Sequence, residues 1–192
     1  MRSYKTLPEG YEQIYEIDLQ KNKKLSLWVN LLAILIAVIM AVPAHFAVPI
    51  STLFSMEQGM KRYLIRFAVL MVLMVAYIFL HELAHGVAMK LCGTQRVKYG
   101  FTGLYDFAGS DDYYAKHPYL FIALAPVIFW GVVLAIINFF VPAEWFWVVY
   151  FIQLFNLSGA AGDLFVTVKF SRMPKDILIR DHGVGMRVFA KK

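Results

Sequence analysis

An all-α membrane protein, with four transmembrane helices and a short cytoplasmic β-hairpin-like loop between the second and third, is the fold class this sequence predicts. Three observations predict it. Of the 192 residues, 60% are hydrophobic, against roughly 45–50% in soluble globular domains. The charged residues, 17% of the chain, gather at its two ends and in one central stretch. Between them lie four apolar windows, residues 27–48, 65–89, 119–141 and 145–168, each long enough to cross the bilayer. That crossing takes about 20 residues at 1.5 Å each for roughly 30 Å of hydrocarbon. The same figures disfavour a soluble helical core, disorder and a nucleic-acid partner, and the length fits one integral-membrane domain over residues 1–192.

The first span follows a segment that mixes bases with Glu9, Glu12, Glu16 and Asp18, which is unlike a secretory signal, so this span is expected to stay in the mature protein. Aromatic residues near the span ends, Trp28, Tyr63, Tyr119, Trp145 and Trp147, suit the headgroup level, where an amphipathic ring keeps its polar edge wet. After the second span, Val97-Lys-Tyr-Gly-Phe-Thr-Gly-Leu-Tyr is rich in strand formers. With Gly100, Gly103 and Gly109 allowing turns, it predicts a hairpin over about residues 97–107. The tail predicts a second small hairpin over residues 177–189, turning at residues 181–183.

Orientation follows from the bases. Sixteen of the nineteen Lys and Arg lie in the N-terminal segment, the central loop and the tail, leaving Lys61, Arg62 and Arg66 for the opposite side. The positive-inside rule then places both termini in the cytoplasm. The net charge of +6 is mainly a record of that topology, with the tail free to touch anionic lipid as well. The single cysteine, Cys92, excludes an internal disulfide.

The chemistry lies in the second span, in His81-Glu82-Leu83-Ala84-His85. Positions i and i+4 share a helix face, so both imidazoles can point at one ion while the glutamate reaches a water beside it. Random placement of this chain's His and Glu gives such a match in roughly 0.4% of cases, so chance is a poor account of it. An isolated charge at the centre of a membrane helix costs about 2.5–3.5 kcal/mol, which marks intramembrane ionisable groups as functional candidates. Zinc at a catalytic site takes three protein ligands and keeps one position open. Asp163, in the fourth span, is the further acid well inside the apolar windows, and it is expected to be the third ligand. It precedes Lys169 by six residues, and the histidine pair is centred seven before Lys90. Both positions therefore lie roughly 10 Å from the same boundary.

Blander roles stand beside these. The histidines could bond across helices, Glu82 could be a relay carboxylate or remain protonated in apolar surroundings, and Asp163 could cap an interrupted helix near Gly159 and Gly162. Asn156 could join helices by hydrogen bonding or steady a substrate oxyanion. His45, His117 and His182 read as structural.

A His-Glu-x-x-His in one membrane helix, followed two spans later by an aspartate, resembles the site-2 protease group of intramembrane metalloproteases. More closely, His81-Glu-Leu-Ala-His-Gly86, Lys98-Tyr-Gly-Phe, Gly162-Asp163-Leu and Asp181-His-Gly-Val-Gly resemble a bacterial family of small zincin peptidases of unknown function. The site-2 resemblance implies a three-helix core, with Ala125-Pro126 in the place of Gly-Pro and Asn156 with Asp163 on the third helix. The chain departs from that pattern in Ala125, in lacking prolines before the aspartate and in having Leu164 after it. The expected reading is a zinc metalloendopeptidase of the bacterial cytoplasmic membrane. His81, His85 and Asp163 hold Zn2+, and Glu82 and Asn156 are catalytic. The substrate is a membrane protein or peptide, which must be unwound before cleavage and could pair with the loop by strand addition. A non-catalytic metal-binding adaptor is the alternative. A transporter would need polar residues through the full thickness of the membrane, and these cluster near one face.

Overall fold

The computed structural model describes residues 3–101, 106–183 and 185–192. In chain order the elements are β1 (Ser3–Tyr4), β2 (Tyr11–Asp18), α1 (Lys23–Ala47), α2 (Ser51–Phe54), α3 (Met60–Leu91), β3 (Lys98–Phe101), β4 (Asp106–Gly109) and β5 (Tyr113–Ala115). They continue with α4 (Lys116–Phe140), α5 (Ala143–Gly159), α6 (Ala161–Ser171), β6 (Leu178–Asp181) and β7 (Gly185–Lys191).

Among the described residues, four helical segments are long and apolar enough to cross a membrane: Lys23–Ala47, Met60–Leu91, Lys116–Phe140 and Ala143–Ser171. Two of the predicted windows fall wholly within them, and the other two do so apart from a single last residue, Val48 and Val141. All four segments also take in flanking charged residues, because a helix continues through the headgroup region where long basic side chains can stay wet; Lys116 is instead buried and donates to Ser171 O and Met173 O at 2.6 Å. The fourth segment is broken. Ser158 Oγ donates to Leu154 O at 2.7 Å, Gly159 ends α5, and Ala160 leaves helical geometry at φ −81°, ψ 17°. A serine bonded back to its own helix next to a glycine is a recognised cause of such an interruption.

The chain divides into two compact units. One comprises Met1–Val29, Glu82–Pro126 and Gly162–Lys192, and it corrects the all-α expectation. It holds a five-stranded antiparallel sheet in the order β1-β5-β6-β7-β2, together with the separate pair β3-β4. The strand Tyr11-Glu-Gln-Ile-Tyr-Glu-Ile-Asp pairs with the tail, Glu12 opposite Ala190 and Ile17 opposite Met186. Its partners lie some 170 residues away in sequence, so the N-terminal segment read alone showed charge and not a sheet. The predicted tail hairpin is present as β6-β7, and Gly183 beside its turn takes φ +88°, a conformation open to glycine. The predicted loop hairpin is present as β3-β4, with residues 102–105 of its expected range outside the described residues. The core of this unit gathers Ile17, Cys92, Tyr114, Tyr119, Phe170, Ile177, Ile179 and Val188, all nearly or fully buried.

The other unit comprises Asn30–His81 and Val127–Ala161. Its core centres on Trp147, Val148, Leu53 and Tyr77. Trp147, expected at headgroup level, is buried, and its indole N–H donates to Val48 O at 2.9 Å. Arg66 lies inside an apolar window yet is buried, and it donates to the carbonyls of Thr52, Ser55 and Glu144. Those acceptors at the end of α2 and the start of α5 offset the cost of desolvating its charge.

Candidate metal centre

His81, Glu82 and His85 all stand on the continuous helix α3. His81 and His85 are therefore held one turn apart on one face by the helix itself.

The orientation of His85 traces to a proline. Pro126 sits inside α4, and a proline there lacks the N–H that would bond the carbonyl four residues earlier. That carbonyl belongs to Ile122, and it accepts from His85 Nδ1 at 2.9 Å. Because a carbonyl only accepts, the proton of neutral His85 is on Nδ1. Its Nε2 lies 3.5 Å from Asp163 Oδ2. Asp163 itself stands in the first turn of α6, where the helix N-terminus favours a carboxylate, so the break at Ala160 sets its place in that turn. The interrupted helix considered from the sequence is real, and Asp163 lies both in its first turn and beside His85.

His81 is held by a different chain of bonds. Tyr77, one turn earlier on α3, brings its hydroxyl within 2.9 Å of His81 Nδ1 and donates to Asn156 Oδ1 at 2.6 Å. Asn156 Nδ2 donates to Val127 O at 3.2 Å. Asn156 is completely buried and Tyr77 nearly so.

One ligand atom from each of His81, His85 and Asp163 lies within 4.8 Å of the others. Bonds of roughly 2.0–2.1 Å to tetrahedral zinc put neighbouring ligand atoms roughly 3.3–3.4 Å apart. The 3.5 Å between His85 and Asp163 already meets that spacing, and the 4.8 Å that bounds the whole set exceeds it by roughly 1.4 Å. Two imidazoles and one carboxylate are also a donor set that zinc takes at catalytic sites. The residues fit the metal.

Glu82, partly exposed, follows His81 directly. Gly86, one turn beyond it, lies against the Tyr99 ring of β3: a Cβ at Gly86 would collide with Tyr99 Oη. Partial burial and the negative charge of Glu82 both push the Tyr99 phenol above its ordinary value. A further carboxylate, Asp181 of β6, is buried and accepts from Tyr119 Oη at 2.8 Å and from Gly183 N at 2.7 Å. Its burial raises its pKa, against those two hydrogen bonds. His45 accepts from Ile50 N, a structural role as expected. Burial and the nearby Arg180 hold His182 below the ordinary histidine value.

Sequence reasoning brought out His81, Glu82, His85, Asn156 and Asp163 but missed Tyr77, Tyr99 and the carbonyl of Ile122. Two signals were available: a tyrosine four residues before His81 on the same helical face, and a proline four residues after Ile122.

Fold and site together define a chain with four membrane-length helices and a histidine–histidine–aspartate cluster of the kind zinc takes. The chain belongs to the family described as "Putative zincin peptidase", whose pattern matches residues 73–178, more than half of its length. That description points to the metallopeptidase class, with zinc as the metal it implies. A curated relative from Pyrococcus woesei, "Uncharacterized 24.7 kDa protein in gap 5'region", is 30% identical over 141 residues, which is 69% of this chain. The alignment spans 59% of that relative's length. No solved structure matches the chain.

Proposed function

We propose that the protein is an intramembrane zinc metalloprotease of the site-2 protease-like type, hydrolysing peptide bonds of membrane-embedded or membrane-proximal substrates. The observation that carries this reading is the convergence of His81, His85 and Asp163 within 4.8 Å, with Glu82 between the two histidines on the same helix. These three side chains would hold the metal. Zinc, when bound, supplies a Lewis acid that lowers the pKa of water toward about 7 and polarises a carbonyl. Glu82 takes the proton from the attacking water and passes it to the nitrogen of the leaving amine. The cleaved bond yields one new carboxylate and one new amine.

A substrate helix satisfies its own backbone hydrogen bonds and must be unwound locally before its carbonyl is open to attack. An extended segment then needs a partner. The strand β3 has β4 as its ladder partner among the described residues and stands apart from the five-stranded sheet, so its other edge is suited to receive a substrate strand.

The test is metal content and peptide cleavage, measured side by side for wild type and Glu82→Gln. The expected result is equal zinc in both, with cleavage lost by about 10²–10⁴-fold in the variant, the usual worth of a general base. Bound zinc with no cleavage by wild type would establish the adaptor in place of the protease. Equal cleavage by both proteins would remove Glu82 from the mechanism.

A further inference from the structure

The hydrogen bonds behind His81 have a direction, and the direction can be counted. A phenol carries one proton. Tyr77 gives its proton to Asn156 Oδ1 at 2.6 Å, and the amide cannot turn over without pointing its oxygen at the carbonyl of Val127, which Nδ2 now serves at 3.2 Å. The Tyr77 oxygen can therefore act only as an acceptor toward His81 Nδ1, 2.9 Å away. A neutral imidazole has one N–H, so the proton of His81 is on Nδ1 and the lone pair is on Nε2.

We infer that Tyr77 and Asn156 are positioning residues that fix His81 as the Nδ1–H tautomer, presenting Nε2 to the metal before the metal arrives. The inference rests on the metallopeptidase reading and deepens it. His85 reaches the same tautomer by another route, through Ile122 O, so each histidine has its own acceptor. Neither Tyr77 nor Asn156 belongs to the ligand set. Asn156, with both ends of its amide engaged inside the protein, works through Tyr77. Hydrogen bonds that orient a ligand histidine commonly change metal affinity by 10–100-fold when removed.

The two residues predict different failures. Tyr77→Phe removes the acceptor and leaves His81 a mixture of tautomers. Asn156→Leu leaves the hydroxyl in place but frees its proton, which can then be donated to His81 Nδ1. That reversal favours Nε2–H, the form that competes with metal. Nitrogen NMR of the zinc-free full-length protein in micelles, with labelled histidine, reads both states directly, and zinc titration gives the affinity.

The expected result is Nδ1–H for His81 and His85 in wild type. His81 alone should change, to a mixture in Tyr77→Phe and to Nε2–H in Asn156→Leu, with zinc affinity weaker by 10–100-fold in each variant. His81 as Nε2–H in wild type would overturn the inference even if neither variant folds. So would zinc affinities within twofold of wild type in folded variants. Nδ1–H in a wild-type protein that binds no zinc would sustain the relay and instead overturn the metallopeptidase reading.

Discussion

At the scale of single residues, Gly86 shows how one missing atom shapes the site. A side chain there would occupy the place of the Tyr99 hydroxyl, and the phenol, the far end of a movable side chain, would give way before helix α3 did. Gly86→Ala should therefore leave the protein folded, and even raise its stability by up to about 1 kcal/mol through helix propensity. It would also drive the phenol from its position near Glu82. If that phenol steadies the reacting groups by one hydrogen bond, cleavage falls about tenfold, the equivalent of roughly 1.4 kcal/mol. Tyr99→Phe should show the same loss, and the double variant no further loss, because the first change has already removed what the second deletes. Losses that multiply in the double variant would show that the two residues act separately. The glycine itself was visible in the sequence, but its reason was not, since Tyr99 reaches it from a strand thirteen residues on.

At the scale of elements, what the sequence revealed and what it hid divide by range. The pair His81 and His85 is legible because an α-helix fixes i and i+4 by itself, and Asp163 because few acids lie inside apolar windows. Tyr77 was hidden because an aromatic in an apolar helix looks like core packing until its partner Asn156, 79 residues away, is in place. The role of Pro126 was hidden for the same reason: the proline shows in the sequence, whereas the side chain that uses the carbonyl it frees does not. Pro126→Ala restores an N–H that competes for Ile122 O, and it should weaken zinc binding by up to about tenfold while leaving the His81 relay unchanged. Unaltered affinity would show that the carbonyl serves both donors at no cost.

The sheet carries its own pH signature. Tyr114 of β5 is fully buried, and burial pushes its phenol up to about 12, against hydrogen bonds to Ser110 and Thr94 that favour ionisation. The folded value lies above the ordinary value near 10. The stabilisation from keeping this phenol neutral is thus complete below pH 10 and is lost as pH rises toward about 12. The loss runs at roughly 1.4 kcal/mol per pH unit for one group. Denaturant unfolding between pH 9.5 and 12 should show that slope in wild type and a shallower one in Tyr114→Phe. Parallel slopes would place the titration elsewhere.

At the scale of the whole molecule, the sheet bears on topology by a route independent of charge. Its strands come from before α1 (β1 and β2), from between α3 and α4 (β5), and from after α6 (β6 and β7). Strands that share backbone hydrogen bonds must lie on one side of any membrane, so those three segments are on the same side, as four crossings require. Together with the helix ends that adjoin them, they hold sixteen of the nineteen Lys and Arg, and the positive-inside rule then predicts a cytoplasmic side. The chain supplies a clean background for a direct test, because its single cysteine, Cys92, is buried. Met56→Cys, between α2 and α3, and Lys175→Cys, between α6 and β6, both replace exposed residues. A membrane-impermeant maleimide added to intact cells should label Met56→Cys and spare Lys175→Cys, with both labelled after lysis. The opposite pattern would invert the orientation. Labelling of both from outside would mean that the segments before α3 and after α6 share a face, and the count of four crossings would fall with it.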